Sequence, residues 1–269
     1  MKEMRVSLAQ MTVTRARPEE NLKLGEAFVA EAARRGSDVI CFPEMWTSGF
    51  DWEANKRLAP QQEHVLGKIA ALALRHKIWI NGSMLAMDDR GRVTNTSILF
   101  DPQGRRAGVY RKVHLFSLIH ENKHLAPGNS LCVVNTPWGH AGLAICYDIR
   151  FPDFIRTYAL KGVKILFVPA AFPNPRQQHW KVLLRARAIE NQMFVIATNQ
   201  VGLEDLGPAG VVTYFGSSAI IDPWGETIIE AEEMEEKLLT ATIDIDRVDE
   251  IRASMPVLKD RRPELYELR

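Results

Sequence analysis

The sequence predicts an α/β protein with two sheets. Two observations carry this. Short apolar runs, of the length of strands covered on both faces, alternate with longer stretches whose apolar residues recur at helical spacing. A hairpin signature also occurs once in each half: residues 97–105 (SILFDPQGR) parallel residues 218–226 (SAIIDPWGE), with Asp, Pro and Gly where a tight turn prefers them. The repeat predicts an internally pseudo-symmetric body. No linker or low-complexity stretch interrupts residues 1–269, so a single domain is expected.

In chain order, residues 4–10 form a first strand with a mostly apolar face. Pro18, Glu19 and Glu20 suit the first turn of a helix, Leu22, Phe28 and Ala32 give it an inner face, and Gly36 closes it. Residues 39–42 are a short buried strand. Residues 63–76 make a second helix with Leu66, Ile69, Ala70, Ala73 and Leu74 as its inner stripe. Strands follow at 79–84 and 96–100 around a turn at 88–91, and another strand ends at Arg111. Residues 112–129 have no clear period and carry three histidines and Glu121; a loop of that length in a compact domain is usually functional. Strands are expected at 131–134, 140–145, 163–169, 193–199 and 238–243, and helices at 154–160 and 180–192. The second of these helices has Val182, Leu183, Ala186 and Ile189 on one side. Residues 202–210 form a glycine-rich loop, and the charged tail 244–269 crosses the surface or reaches a partner subunit.

Bulk properties narrow the function. A formal net charge of +1 with no basic stripe speaks against a nucleic-acid partner. No apolar run has the length of a membrane span, and the N-terminal residues lack a signal-peptide core. The three cysteines, Cys41, Cys132 and Cys146, are odd in number and show no Cys-x-x-Cys spacing, so neither a disulfide framework nor a zinc ribbon is expected. A reducing cytoplasm is the default compartment. No metal-ligating signature occurs.

Chemistry concentrates at three strand ends. In residues 142–152 (GLAICYDIRFP) an apolar run ends in Cys146, followed by a polar turn and a proline that can open a helix. This resembles the strand-to-helix elbow that displays a nucleophile in other hydrolases. Asp148 and Arg150 mark the chain leaving the core there, and a helix start with a nearby ammonium favours a thiolate. Cys41 and Cys132, inside apolar strands, are core thiols. Glu44 ends the run DVICFP, with Met45, Trp46, Phe50 and Trp52 close behind, as suits a general base in an apolar pocket. Lys112 ends the strand 107–111, and its point charge could hold an oxyanion, with the Tyr147 N–H as a second donor. His114, His120, His124 and His179 are each open to pairing with Cys146, but none sits in a transferable Cys-His signature.

Four blocks now stand in order: Phe42-Pro43-Glu44-Met45, residues 110–116 (YRKVHLF), residues 142–152, and residues 179–192 from His179-Trp180 to Asn191-Gln192. On these the chain resembles the nitrilase superfamily of carbon–nitrogen hydrolases along nearly its whole length. The resemblance implies an α-β-β-α sandwich that dimerises into a four-layer assembly, and a Glu44-Lys112-Cys146 triad with neither metal nor organic cofactor. Glu121 matches a second glutamate of the loop after the lysine, a further catalytic residue expected to orient substrate or water. Tyr147 after the cysteine is similar to the amidase branches, whereas nitrile hydrolases carry tryptophan there. Residues 44–50 and 111–116 are most similar to omega-amidases, which cleave the terminal amide of short α-keto acid amides such as 2-oxoglutaramate. The expected partners are thus a small amide and a second copy of the chain, as a homodimer or higher homo-oligomer. Arg150 and Arg176 are candidates for holding a substrate's far carboxylate. The loop 170–176, with Pro173 and Pro175, departs from the pattern and leaves substrate identity open. An N-carbamoyl amine hydrolase or a nitrile hydrolase on the same fold, and a catalytically silent binding subunit, stand as alternatives.

Overall fold

The computed structural model describes residues 2–205 and 210–265. The first half runs β1 (Glu3–Gln10), α1 (Pro18–Arg34), β2 (Val39–Cys41), α2 (Trp52–Leu58), α3 (Gln62–His76), β3 (Trp79–Met87), β4 (Val93–Phe100) and β5 (Arg106–Arg111). After α4 (Glu121–His124), the second half runs β6 (Val133–Thr136), β7 (Gly139–Leu143), α5 (Pro152–Leu160), β8 (Ile165–Ala170), α6 (Gln177–Asn191), β9 (Phe194–Asn199), β10 (Val201–Asp205), β11 (Val211–Phe215), β12 (Ala219–Ile221) and β13 (Thr227–Glu230). The chain then closes with β14 (Lys237–Asp244) and α7 (Asp246–Ser254).

Two six-stranded sheets form, ordered β14-β1-β2-β3-β4-β5 and β13-β12-β9-β8-β7-β6. Each has three parallel strands, an antiparallel hairpin on one side and one antiparallel strand on the other. The sheets face one another. Met4, Val6, Leu8 and Val39 meet Val134, Leu143, Ile165 and Phe167 in one apolar core. Alternate residues of β2 point the other way, and Ile40 packs with Leu22 and Val29 of α1 and Leu66 and Ile69 of α3. Helices α5 and α6 cover the second sheet through Ile155, Tyr158, Leu184 and Ala188. The layers are therefore α-β-β-α. Strands covered on both faces explain the unbroken apolar runs.

The repeated turn is reproduced atom for atom. Asp101 Oδ1 accepts from the Gln103 and Arg105 N–H groups at 2.9 Å, and Asp222 Oδ1 accepts from those of Trp224 and Glu226 at 2.9 and 2.8 Å. Gly104 and Gly225 both take the left-handed conformation. The two halves differ between their third and fourth strands. In the first half β3 turns directly into β4, whereas in the second the β10–β11 pair is inserted between β9 and β12.

Several expectations are corrected. Leu74 of α3 is 57% exposed, and Val65 and Leu72 face inward instead. In α1, Gly25 and Val29 are buried and Phe28 only partly so. The inner face of α6 is Trp180, Leu184 and Ala188, while Val182 and Ile189 are 60% and 51% exposed. That helix is rotated because two polar groups find partners on the inside. The Trp180 indole N–H donates to Ser217 O at 2.8 Å, and Arg187 Nε donates to Ile149 O at 2.7 Å. Cys132 lies ahead of β6 and is half-buried. The predicted glycine-rich loop begins inside β10, which pairs with β11 just beyond the loop's end, and its residues 206–209 lie outside the described residues. The tail packs on the body: Val248 and Ile251 are buried and Arg252 donates to Val163 O at 2.7 Å; residues 266–269 lie outside the described residues.

The turn gives a stability prediction. At Gly104 φ is +76° and an added Cβ would lie 2.7 Å from Ala70 O. Gly104→Ala should lower stability by about 1–3 kcal/mol, read as a lower denaturant midpoint with an unchanged m-value.

Candidate active site

Three strand ends meet at the rim of the two sheets. Glu44 follows β2, Lys112 follows β5, and Cys146 lies just past β7. The end of β8 holds Glu44 in place: its backbone N–H donates to Ala170 O at 3.2 Å, and its Oε2 accepts from the Ala171 N–H at 3.0 Å. The Lys112 Nζ donates to Glu44 Oε1 at 2.7 Å and to Glu121 Oε2 at 2.8 Å. All three side chains are at most 2% exposed. The Glu121 carboxylate also accepts from the Phe116 N–H at 2.5 Å, so the loop after β5 is folded back around the lysine that precedes it.

A fourth residue joins this cluster, one that the sequence pattern missed. Asn95 of β4 is fully buried, and its Nδ2 donates to Glu44 Oε1 at 2.8 Å and to Glu121 Oε1 at 3.3 Å. The backbone N–H of Lys112 donates to Asn95 O at 2.8 Å, which puts the two residues opposite one another across the sheet. The available signal was the polar run Thr94-Asn95-Thr96-Ser97 near the start of a buried strand.

Cys146 sits on a strained elbow. Its φ is +43°, a value that residues with a Cβ rarely adopt and that concentrates at functional sites. A 3-10 turn over Cys146–Arg150 follows, and Pro152 opens α5. Asp148 does not mark an exit from the core. It is fully buried and accepts from the Ile145 N–H at 2.8 Å, the Tyr110 hydroxyl at 2.7 Å and the His114 N–H at 3.2 Å, with His114 Nδ1 at 2.7 Å. Tyr110 and His114 flank Lys112 in sequence, so Asp148 ties the cysteine elbow to the strand that carries the lysine.

The electrostatics follow from burial and pairing. Burial alone would drive the Lys112 ammonium toward the neutral form, but Glu121 and Glu44 together outweigh it and hold the proton more tightly than usual. Burial raises the Glu121 carboxyl against the pull of Lys112. Burial also pushes the Cys146 thiol well above its usual range. The Glu44 carboxylate pushes the same way, and Lys112 does not reverse it. The expected thiolate is therefore corrected: the resting thiol keeps its proton beside an acceptor, because neither the ammonium nor a single helical turn offsets the loss of water.

A cavity of about 850 Å³ opens above these groups, and Glu44, Lys112, Cys146, Tyr147, Arg150 and Arg176 all line it. Glu121 and Asn95 are not among the lining residues; they stand behind Lys112 and Glu44. The Arg150 guanidinium lies 5.1 Å from the Phe172 ring centre, with its Nη2 3.3 Å from His179 Nδ1. The Arg176 guanidinium lies 5.8 Å from the Phe116 ring centre. Phe50 and Trp52 form part of the wall, but Trp46 is stacked on Phe42 in the core. The wall also includes Arg15, Glu204 and Tyr214, none of which the sequence singled out. The histidines contact groups other than the thiol: His114 stacks on Phe151 at 3.7 Å and His124 on Trp52 at 5.0 Å.

Facing sheets between helical layers, with a buried Glu-Lys pair beside a strained cysteine, make this a mixed α/β protein of the nitrilase-like fold. The carbon-nitrogen hydrolase family profile matches residues 5–253, and the chain belongs to that family. It is a hydrolase acting on carbon–nitrogen bonds other than peptide bonds. It is 36% identical over 262 residues to the 2-oxoglutaramate amidase of Bacillus subtilis, covering 97% of this chain and 98% of that one. It is 33% identical to the omega-amidase NIT2 of Mus musculus, covering 99% and 98%. Its fold superposes with a TM-score of 0.91 on the crystal structure of a carbon-nitrogen hydrolase from Helicobacter pylori G27, at 26% identity over 98% of this chain and 97% of that one.

The elbow contact can be probed directly. Asp148→Ala strips the acceptor from the buried Ile145 N–H and Tyr110 hydroxyl, and should cost about 3 kcal/mol. Thermal unfolding should show a lowered midpoint, and turnover should fall with it because the lysine strand and the cysteine elbow lose their tie.

Proposed function

We propose that the protein is an omega-amidase-type enzyme that hydrolyses the terminal amide of a short α-keto acid amide such as 2-oxoglutaramate, through a Cys146 thioester, releasing ammonia. The observation that carries this reading is the strained Cys146 elbow opening on the same cavity as Glu44 and Lys112, with the buried ammonium bonded to that glutamate at 2.7 Å. The relatives' activity supports the choice of substrate class.

In this reading Glu44 takes the thiol proton as sulfur attacks the amide carbon. The carbonyl oxygen becomes an oxyanion, held by Lys112 and the Tyr147 N–H. That N–H is among the leading donors that a helical turn leaves without a partner inside the turn. Lys112 has three N–H donors; two go to carboxylates, and the third serves the oxyanion. Glu44, now protonated, gives its proton to the departing nitrogen, which leaves as ammonia. Water then attacks the thioester as Glu44 takes its proton. Collapse expels the sulfur, which regains a proton from Glu44, and the acyl group leaves as a carboxylic acid. Because Glu121 lies behind Lys112, its part is to position the ammonium, not to touch substrate. Arg150 and Arg176, both on the cavity wall, would hold the substrate's far carboxylate.

The reading extends to assembly and place. Residues 1–269 act as one unit, and a homodimer forms through the α5–α6 layer, where Leu160, Val182 and Ile189 are exposed apolar residues. Three unpaired cysteines support a reducing cytoplasm, and among the described residues no helix is long and apolar enough to cross a membrane.

Ammonia release from a panel of keto-acid amides, simple amides, carbamoyl compounds and nitriles tests the substrate class; preference for carbamoyl compounds or nitriles would overturn it. Cys146→Ala should leave the protein folded and nearly abolish turnover, and Lys112→Ala should lower kcat by at least about 10²–10³-fold. Arg150→Met and Arg176→Met should lose activity on charged amides while keeping it on neutral ones.

A further inference from the structure

We infer that Asn95 is a positioning residue of this active site: its amide, held in one orientation by Ser83, fixes the spacing between Glu44 and Glu121 and so the place of the base against the thiol. The inference rests on the thioester reading above and extends it to a residue that does not line the cavity.

The geometry forms a closed ring. Lys112 joins Glu44 to Glu121 on one side, at 2.7 and 2.8 Å. Asn95 joins the same two carboxylates on the other, at 2.8 and 3.3 Å. Two buried carboxylates this close repel one another, and one ammonium supplies only one compensating charge. The amide brings two further N–H donors without adding charge. An apolar residue there would leave each carboxylate short of a donor, a costly arrangement inside a protein.

The orientation of the amide is itself fixed. The Ser83 hydroxyl accepts from the Met45 N–H at 2.9 Å, so its own proton is free to point at Asn95 Oδ1, 2.8 Å away. Asn95 Oδ1 is thereby the acceptor end, and Nδ2 must face the carboxylates. Ser83, Asn95 and both glutamates are at most 1% exposed, so water is not available to substitute. Met45, whose N–H starts this chain, directly follows Glu44 and has a φ of +50°. The strained residue beside the base and the amide that bonds the base are thus anchored on one serine.

Three variants test the assignment, each first checked for folding by thermal unfolding. Asn95→Ala should lower kcat by roughly 10- to 100-fold with KM unchanged, as expected when a reacting group is displaced while substrate binding is left intact. Asn95→Leu keeps most of the volume and removes the donors; it should be as impaired as Asn95→Ala, and recovery toward wild type would show a packing role and overturn the inference. Asn95→Asp has the asparagine's shape but donates only when protonated. The ionisable groups facing it are Glu44, Glu121 and Lys112, with Cys146 beyond Glu44. Taking the ratio to wild type at each pH removes the titration that both proteins share. That ratio should rise as pH falls and the aspartic acid regains its donor; a flat ratio would overturn the inference. The two proposals fail separately. An active Cys146→Ala protein would remove the thioester reading. An inactive Cys146→Ala beside full kcat in Asn95→Leu would remove the role of Asn95 alone.

Discussion

The site depends on one buried ammonium. Moving a lysine charge out of water costs several kcal/mol even after the protein relaxes, and Lys112 is tolerated only because two carboxylates lie within 2.8 Å. The same pairing keeps two carboxylates close together in an interior that would otherwise drive one of them to bind a proton. Removing the lysine leaves both carboxylates uncompensated, so the cluster constrains three separate segments at once: the end of β2, the end of β5 and the loop that carries Glu121. What those segments enclose is a thiol that burial keeps protonated next to a base, an arrangement that defers the cost of making a thiolate until an acyl carbon is there to receive the sulfur.

The pseudo-symmetric frame explains why these ends meet. In each half the chain lays down three parallel strands and then a hairpin closed by the same aspartate-bonded turn. Stacking the two halves face to face brings the ends of β2 and β8 together, where the Ala171 N–H bonds the Glu44 carboxylate. Strand ends are also where backbone N–H groups and side chains leave the ladder and become available for chemistry. The β10–β11 pair, which has no counterpart in the first half, contributes Tyr214 and Glu204 to the cavity wall. Symmetry therefore supplies the common frame, and a departure from it adds a wall to the site.

The legible parts were those set by local rules. Strand runs, turn residues and a helix-opening proline announce themselves because each satisfies a backbone requirement within a few residues. Cys146, Glu44 and Lys112 stood out for the same reason, as reactive groups at the ends of apolar runs. Asn95 escaped because the polar run around it does not say what it bonds; its partners lie 51 and 26 residues away along the chain. Asp148 was misjudged because a charged residue after an apolar run normally signals solvent, whereas here four donors surround it. The inner face of α6 was misplaced because an arginine and a tryptophan N–H found partners inside, which displaced the more apolar side to the surface.

By itself the sequence determined the alternation of strands and helices, the repeated turn and which residues could do chemistry, since these follow from spacing and residue type. Only the tertiary structure decided which of them share a charge. Whether a buried carboxylate faces an ammonium, an amide or a thiol depends on how two sheets stack, and electrostatic energies in a dry interior change steeply over an ångström. For that reason the protonated state of Cys146, the place of Glu121 behind Lys112 and the part of Asn95 belong to the folded protein alone.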